Sequence, residues 1–352
     1  WNSADRFPPF HALSLLKKAA STTETFLKAC IPLIGLRWAS SKRYPAARDW
    51  LERYQPPDVV KRLWDPLTIS ALNESPDRLG LKAFKKWIFT GLTDYRSATD
   101  LKIPSLSLRS LYGDKLGEGL QRRGVDIQKH TRIKQIDPTQ PSITIDGGET
   151  RSPDWVISAL EDRVLWARLI EQARERDPFN RIPDWDHAPI VSVHLLYEKP
   201  LDVPPFALLP ETPFEWMFAL RQPEEYGYVQ CVKSAAREAS GREKEDLVRE
   251  ATESVSPLIP NENERINSRV VKEKNATLSM TAETTKQRFG PETPYENFLV
   301  AGDWTDCGWP PTMESAVRSG YRAAQKVDSD CPGPKPDPRP EGLLSLFSPV
   351  EM

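Results

Sequence analysis

From Leu13 to Trp38 apolar residues recur at intervals of three and four (Leu13, Leu16, Ala20, then Phe26, Leu27, Ile31, Ile34). That is the spacing of one helix face. Lys17, Lys18, Lys28 and Arg37 interrupt it. Two readings stand: a pair of helices packed on a core, or a basic amphipathic face resting on a membrane. Shorter helical turns are predicted at 46–54, 58–64 and 80–90, with a buried apolar stretch from Trp64 to Asn73. Leu108, Leu111, Tyr112, Leu116 and Leu120 form another helical stripe, which Ser107 can cap and Gly124 can end.

The period then changes. Val125 with Ile127, Ile133 with Ile136, and Ile143 with Ile145 alternate as short strands, the last before a Gly147-Gly148 turn. Asp154 to Ser158 reads as a more buried strand. This order fits a dinucleotide-binding α/β fold that carries a β-meander as one crossover. Strand-like runs at 190–197, 206–209, 214–219 and 228–232, a helix near 243–257 and a strand near 268–277 make an antiparallel sheet in a second, inserted α+β domain. Asn297 to Gly302 returns to a parallel-sheet strand, and a closing helix runs to about Val327.

Composition narrows the class. With 39% hydrophobic and 28% charged residues the 352-residue chain is globular. A net charge of −2 gives no nucleic-acid surface. Cys30, Cys231, Cys307 and Cys331 form no CxxC pair, and His11, His130, His187 and His194 are scattered. No metal site is expected, and free thiols fit a reducing, cytoplasmic compartment. No apolar run is long enough to span a bilayer. The chain starts at Trp1 with no leader before it, as a fragment of a longer protein would, and the Pro/Gly-rich end at 332–352 reads as a loose tail.

The chemistry concentrates at Asn297-Phe298-Leu299-Val300-Ala301-Gly302-Asp303-Trp304 and the loop after it. Gly302 lets the backbone approach a ligand. Asp303, at the carboxyl end of a strand, sits where open α/β sheets bind cofactors and can accept a hydrogen bond from a flavin ribityl hydroxyl. The Gly302 and Asp303 N–H groups are the expected donors to a pyrophosphate. Thr312 is the expected N-cap of the closing helix, whose first amides, near Met313 and Glu314, can face the O2 edge of an isoalloxazine. Ala316, Gly320 and Ala324 are its expected sheet-packing face.

Three stretches carry a family resemblance: Leu63 to Leu67 with Ala71 to Asn73, Val191 to Leu195, and Val300 to Asp306 continued by Glu314 and by Ala316 to Gly320. They resemble the squalene-associated FAD-dependent desaturases, or hydroxysqualene dehydroxylases, of the flavin-containing amine oxidase and phytoene desaturase superfamily. The resemblance implies an incomplete FAD/NAD(P)-binding Rossmann-like domain with a β-meander, plus an α+β substrate domain with an antiparallel sheet. Its segments are 1–105 and 166–288 for the substrate domain, 106–165 and 289–330 for the FAD-binding domain, and 331–352 as a flexible tail.

It implies FAD held by Gly302, Asp303, Thr312, Met313, Glu314 and Ala316, with Ile133 at the adenine and Ser158 and Ala159 beside the cofactor. It implies a polyisoprenoid substrate of squalene and hopanoid biosynthesis, peripheral access from the inner membrane, and reductive loss of a hydroxyl from hydroxysqualene; it names no electron donor. A carotenoid or phytoene desaturase, an amine-oxidase-like flavoenzyme and a degenerate non-catalytic relative remain alternatives. Asp65 and Asn73 are polar within an apolar stretch, as caps, salt-bridge partners or pocket-lining groups. His194, opposite in parity to Val191 and Val193, is a surface histidine or a proton donor. Trp216, Phe218 and Tyr228 are core aromatics or a wall beside a polyene. The superfamily's GxGxxG loop is missing; Gly113, Gly117 and Gly119 have the wrong spacing.

Overall fold

The computed structural model describes residues 13–95, 97, 100, 103–104, 106–209, 211–219, 225–260 and 262–341. Helices α1 (Leu13–Ala19), α2 (Thr23–Leu36), α3 (Ala47–Tyr54), α4 (Asp65–Leu72) and α5 (Leu81–Ile88) open the chain. The Thr22 hydroxyl starts α2 by accepting from the Thr25 N–H at 3.1 Å. Trp50, Leu51, Leu36 and Phe84 fill the core these helices share. Phe26 packs against that core, whereas Leu27, Ile31 and Ile34 point away from it, so the helix pair is present but one of its apolar faces is open. None of the described helices is long and apolar enough to cross a membrane.

Helix α6 (Lys115–Gln121) continues a π-helical turn at Arg109–Asp114. Ser107 Oγ accepts from the Ser110 N–H, and Gly124, at φ +82°, ends the segment. Its stripe is not buried: Leu108, Tyr112, Leu116 and Leu120 are all exposed. The strand expected at Val125 and Ile127 does not form, because no neighbour offers those residues a ladder. The meander is β1 (Ile133–Asp137), β2 (Ser142–Ile145) and β3 (Thr150–Arg151), all antiparallel. Strand β4 (Val156–Ser158) then leads to α7 (Asp162–Arg168).

The five-stranded sheet has the order β6 (Phe206–Leu208), β7 (Trp216–Phe218), β8 (Gly227–Lys233), β5 (His187–Tyr197), β9 (Arg265–Leu278). Along β5 burial alternates: Val191, Val193, Leu195 and Tyr197 enter a core that helices α8 (Arg237–Ser240) and α9 (Lys244–Val255) cover. A short helix α10 (Ala282–Gln287) brings the chain back to β10 (Phe298–Val300), which pairs with β4 in parallel, Val300 opposite Ser158. The closing helix is α11 (Met313–Val327). Its buried face is Ser315, Ser319 and Ala323, one position away from the expected Ala316, Gly320 and Ala324. A Cβ on Gly320 would meet nothing within 4 Å.

Residues 331–341 of the expected loose tail run as an extended strap. Asp337 accepts hydrogen bonds from Trp309 Nε1 (2.8 Å) and Lys86 Nζ, and pairs with Arg318 Nη1 (2.9 Å). Two cations, Lys86 and Arg318, also lie over the Trp309 ring. The remaining tail, 342–352, lies outside the described residues.

Candidate cofactor and substrate site

The carboxyl ends of β4 and β10 lie side by side, and Gly302 follows β10 at φ +141°. A Cβ there would sit 2.7 Å from the Trp304 indole nitrogen, so only glycine fits the turn. Trp304 is buried among Trp185, Phe289 and Phe298, and its Nε1 donates to the Leu160 carbonyl at 3.0 Å. Thr305 Oγ1 donates to the Gly302 carbonyl at 2.8 Å. The loop is therefore fixed from inside the turn as well as by the strand.

Helix α11 closes over it. Thr312 Oγ1 accepts from the Ser315 N–H at 3.2 Å, the N-cap expected from the sequence. Ser315 Oγ donates to the Asp303 carbonyl (3.0 Å), and Ser319 Oγ accepts the Gly302 N–H (2.8 Å). These two hydroxyls explain why the serine face turns inward. They also correct one expectation: the Gly302 N–H is engaged by Ser319 and is not a donor kept for a pyrophosphate.

Arg288 was not singled out from the sequence, yet it organises the loop. Its guanidinium is almost wholly buried and donates to four carbonyls, those of Trp304 (2.9 Å), Trp309 (2.9 Å), Asp303 (3.1 Å) and Thr305. Burial pushes its pKa down, while Asp306, Cys307 and Asp303 oppose that. Nothing in Lys286-Gln287-Arg288-Phe289 marks this arginine, because all four acceptors are backbone atoms brought from 15 to 21 residues away.

Asp303 is half-buried, and burial raises its pKa; its own N–H and that of Trp304 partly offset this. A carboxyl whose folded pKa lies above its ordinary 3.8 gives stability that is present below 3.8 and lost as pH rises through the folded value. Asp303→Asn should therefore raise the melting temperature of the ligand-free chain at pH 7, with the gain vanishing below pH 3.8. Equal gains at both pH values would show that the carboxylate's charge is not the cause.

The other expected cofactor contacts spread around this loop. Ser158 is buried opposite Val300, and among the described residues its Oγ has no hydrogen-bond partner. Ala159 is exposed, as are Met313 and Glu314 at the first turn of α11; Thr312 and Ala316 are half-buried. Ile133 is half-buried against the core beneath β4 and β10. An orphaned hydroxyl, a strand-end carboxylate, a glycine turn and a helix N-terminus suit the polyol and ring of a flavin. The residues present thus fit one side of FAD.

The expected catalytic residues are not gathered there. Asp65 pairs with Arg48 at 3.0 Å, and Arg48 also binds Asp77; burial raises the Asp65 pKa and Arg48 opposes it. Asn73, in the left-handed region at φ 51°, donates to the Ala188 carbonyl and Thr277 Oγ1 and accepts from the Ala235 N–H. Its amide ties α4 to three parts of the sheet region. His194 Nδ1 lies 2.6 Å from the Tyr228 hydroxyl. Burial, then Arg269, lowers the His194 pKa.

His194 belongs to the sheet face turned away from the core. Register places Leu208, Trp216, Val232 and Ser192 in one row of that face, and Phe206, Phe218, Gln230 and His194 in the next. Trp216 and Phe218 stack at 6.1 Å, Phe206 lies 6.4 Å from Trp216, and all are half-buried. Trp216 Nε1 donates to Ser70 Oγ of α4, so the helical segment spans this aromatic surface.

Residues 110–328, more than half of the chain, match the family described as flavin containing amine oxidoreductase. The chain belongs to that family. It is 26% identical over 269 residues to a hydroxysqualene dehydroxylase of Zymomonas mobilis, a match that takes in 75% of this chain and 62% of the relative. A 15-cis-phytoene desaturase of an Oncidium hybrid cultivar is 24% identical, covering 60% of this chain and 40% of that protein. The chain thus spans somewhat under two thirds of the length of the dehydroxylase it matches. In fold it is similar to reduced UDP-galactopyranose mutase, with a TM-score of 0.64 at 12% identity over 87% of this chain and 72% of that one. That likeness supports the Rossmann-like region and separate antiparallel-sheet domain expected from the sequence.

Proposed function

We propose that this chain is the flavin-loop and substrate-binding part of an FAD-dependent oxidoreductase that converts hydroxysqualene to squalene. The observation that carries the reading is the half-buried aromatic patch Phe206, Trp216 and Phe218 on the sheet face turned away from the core, in a chain whose strand-end loop suits a flavin. An aromatic wall of that kind suits a long, apolar, unsaturated chain. FAD, when bound, supplies hydride chemistry. Asp303 and Ser158 would orient it, and the first amides of α11 would place partial positive charge at its ring edge. Tyr228, with its hydroxyl 2.6 Å from His194 Nδ1, is a group on that face able to give a proton to a leaving hydroxyl and to take one back from solvent.

The test supplies hydroxysqualene, FAD and a reductant to this chain and to a form extended at its N-terminus by a relative's strand–GxGxxG–helix unit. Squalene is then sought by mass spectrometry. Flavin retained by the extended form without any squalene produced sinks the reading. Consumption of oxidised flavin with phytoene would instead favour the desaturase direction that the Oncidium relative's name carries. Trp216→Ala should weaken turnover of a limiting polyisoprenoid by roughly tenfold or more through KM, while flavin retention stays unchanged. An unaltered KM would remove Trp216 from the substrate surface.

A further inference from the structure

Helix α2 turns an apolar stripe to the surface, and Trp38, just past its end, continues it. Leu27, Ile31, Ile34 and Trp38 are 52%, 67%, 70% and 61% exposed. Their spacing of four, three and four residues sets them along a single line about 16 Å long. Four large apolar side chains this open, in a row, exceed the scattered exposure expected of a soluble surface. The opposite side of the same helix is fully used, with Ala29 and Leu36 buried and Phe26 and Leu33 packed on the core. The stripe is thus not a frayed or loosely packed part of the fold.

The charges around it are mostly positive. Lys17 and Lys18 occupy the last turn of α1, Lys28 lies within α2, and Lys42 and Arg43 follow it; all five are exposed. Between Leu13 and Arg43 the only acidic residue is Glu24, paired with Lys28 at 2.6 Å. Arg37 is turned inward to Asp94, and Asp58 accepts a hydrogen bond from the Ser21 hydroxyl. A segment this basic stands out in a chain whose net charge is −2.

We infer that α2 lies flat on an anionic lipid surface, with Leu27, Ile31 and Ile34 entering the acyl boundary. Trp38 sits at headgroup level at one end of the stripe, where an indole is favoured. The lysines at both ends reach lipid phosphates, which is the arrangement of an interfacial amphipathic helix. A protein partner with an acidic, apolar groove matches the stripe less well, because the cations lie at its two ends and along one flank, as a plane of charge would require. The inference stands on this helix alone and needs neither the flavin nor the proposed reaction. It also places the helical segment that reaches Trp216 through Ser70 at the bilayer, where an oily substrate resides.

Flotation of the full chain with vesicles tests it, using phosphatidylcholine alone and phosphatidylcholine with about a third phosphatidylglycerol. The wild-type chain should float with the anionic vesicles. Leu27→Ser/Ile31→Ser/Ile34→Ser should lower the bound fraction roughly tenfold while its melting curve stays that of the wild type, because these side chains are outside the core. Lys17→Glu/Lys18→Glu/Lys42→Glu should abolish the preference for the anionic vesicles. A wild-type chain that stays with the lipid-free fraction, or a triple-serine variant that floats as well as the wild type, overturns the inference. So does a wild-type dimer that the serines dissolve in the absence of any vesicle binding, since the stripe would then be covered by a second copy.

Discussion

Arg288→Ala should lower the unfolding free energy by about 3–5 kcal/mol, measured as a shift of the urea midpoint at constant m-value. The side chain satisfies four carbonyls of the 303–309 loop at once, and its removal leaves those of Trp304, Thr305 and Trp309 without a donor among the described residues, while Asp303 keeps Ser315 Oγ. The loop would lose its preferred path between β10 and α11, with Gly302, Asp303 and Trp304 displaced together. Arg288→Lys keeps the charge but concentrates three donors on one atom, so it cannot span acceptors arranged around a planar fork. It should recover about half of the loss. If Arg288→Ala unfolds within about 1 kcal/mol of the wild type, water has replaced the guanidinium and the arginine does not set the loop. Flavin retention by an N-terminally extended form should fall in the same order, wild type above lysine above alanine.

The parts of this architecture written in local sequence were legible from it. Thr312 caps α11 because a hydroxyl at that position serves a nearby amide, and Gly302 takes the turn because no other residue fits beside Trp304. The alternation on β5 likewise separates Val191 and Val193 from His194. What depends on partners distant in sequence was not legible. Ser315, Ser319 and Ala323 are as small as Ala316, Gly320 and Ala324, so size gave no reason to prefer them. The hydrogen bond that Ser315 Oγ donates to the Asp303 carbonyl and the one that Ser319 Oγ accepts from the Gly302 N–H decide the rotation of the helix.

Periodicity also says that an apolar face exists but not that something covers it. Spacing showed the stripes on α2 and α6 and left open what meets them; both are exposed. The candidate site shows the same limit. Asp65 and Asn73 stood out as polar residues in an apolar stretch, but the structure gives Asp65 an arginine and Asn73 three backbone or hydroxyl partners. Polarity in an apolar run marked a junction between segments as readily as it would mark chemistry.

That junction carries the second large effect. Glu74 is fully buried, accepts both Arg237 guanidinium nitrogens (2.9 and 2.7 Å) and the Ser279 hydroxyl, and lies next to Asn73 at the end of α4. Arg237 reaches on to Asp186 at 3.1 Å, just before β5. The pair therefore joins the helical segment to α8 and to both long strands of the sheet. Glu74→Leu leaves a half-buried guanidinium with a single exposed carboxylate partner, and should cost about 3–5 kcal/mol. Arg237→Met leaves the carboxylate itself buried with only Ser279, the Ser75 N–H and a distant Arg78 at 3.7 Å, a comparable loss. The double variant Glu74→Leu/Arg237→Met removes both charges and replaces them with apolar volume, so it should be more stable than either single change. Urea unfolding of the four proteins measures the coupling. Single effects that simply add in the double variant would mean that the two groups are held by their other neighbours, and that Asn73 rather than the ion pair locks α4 against the sheet.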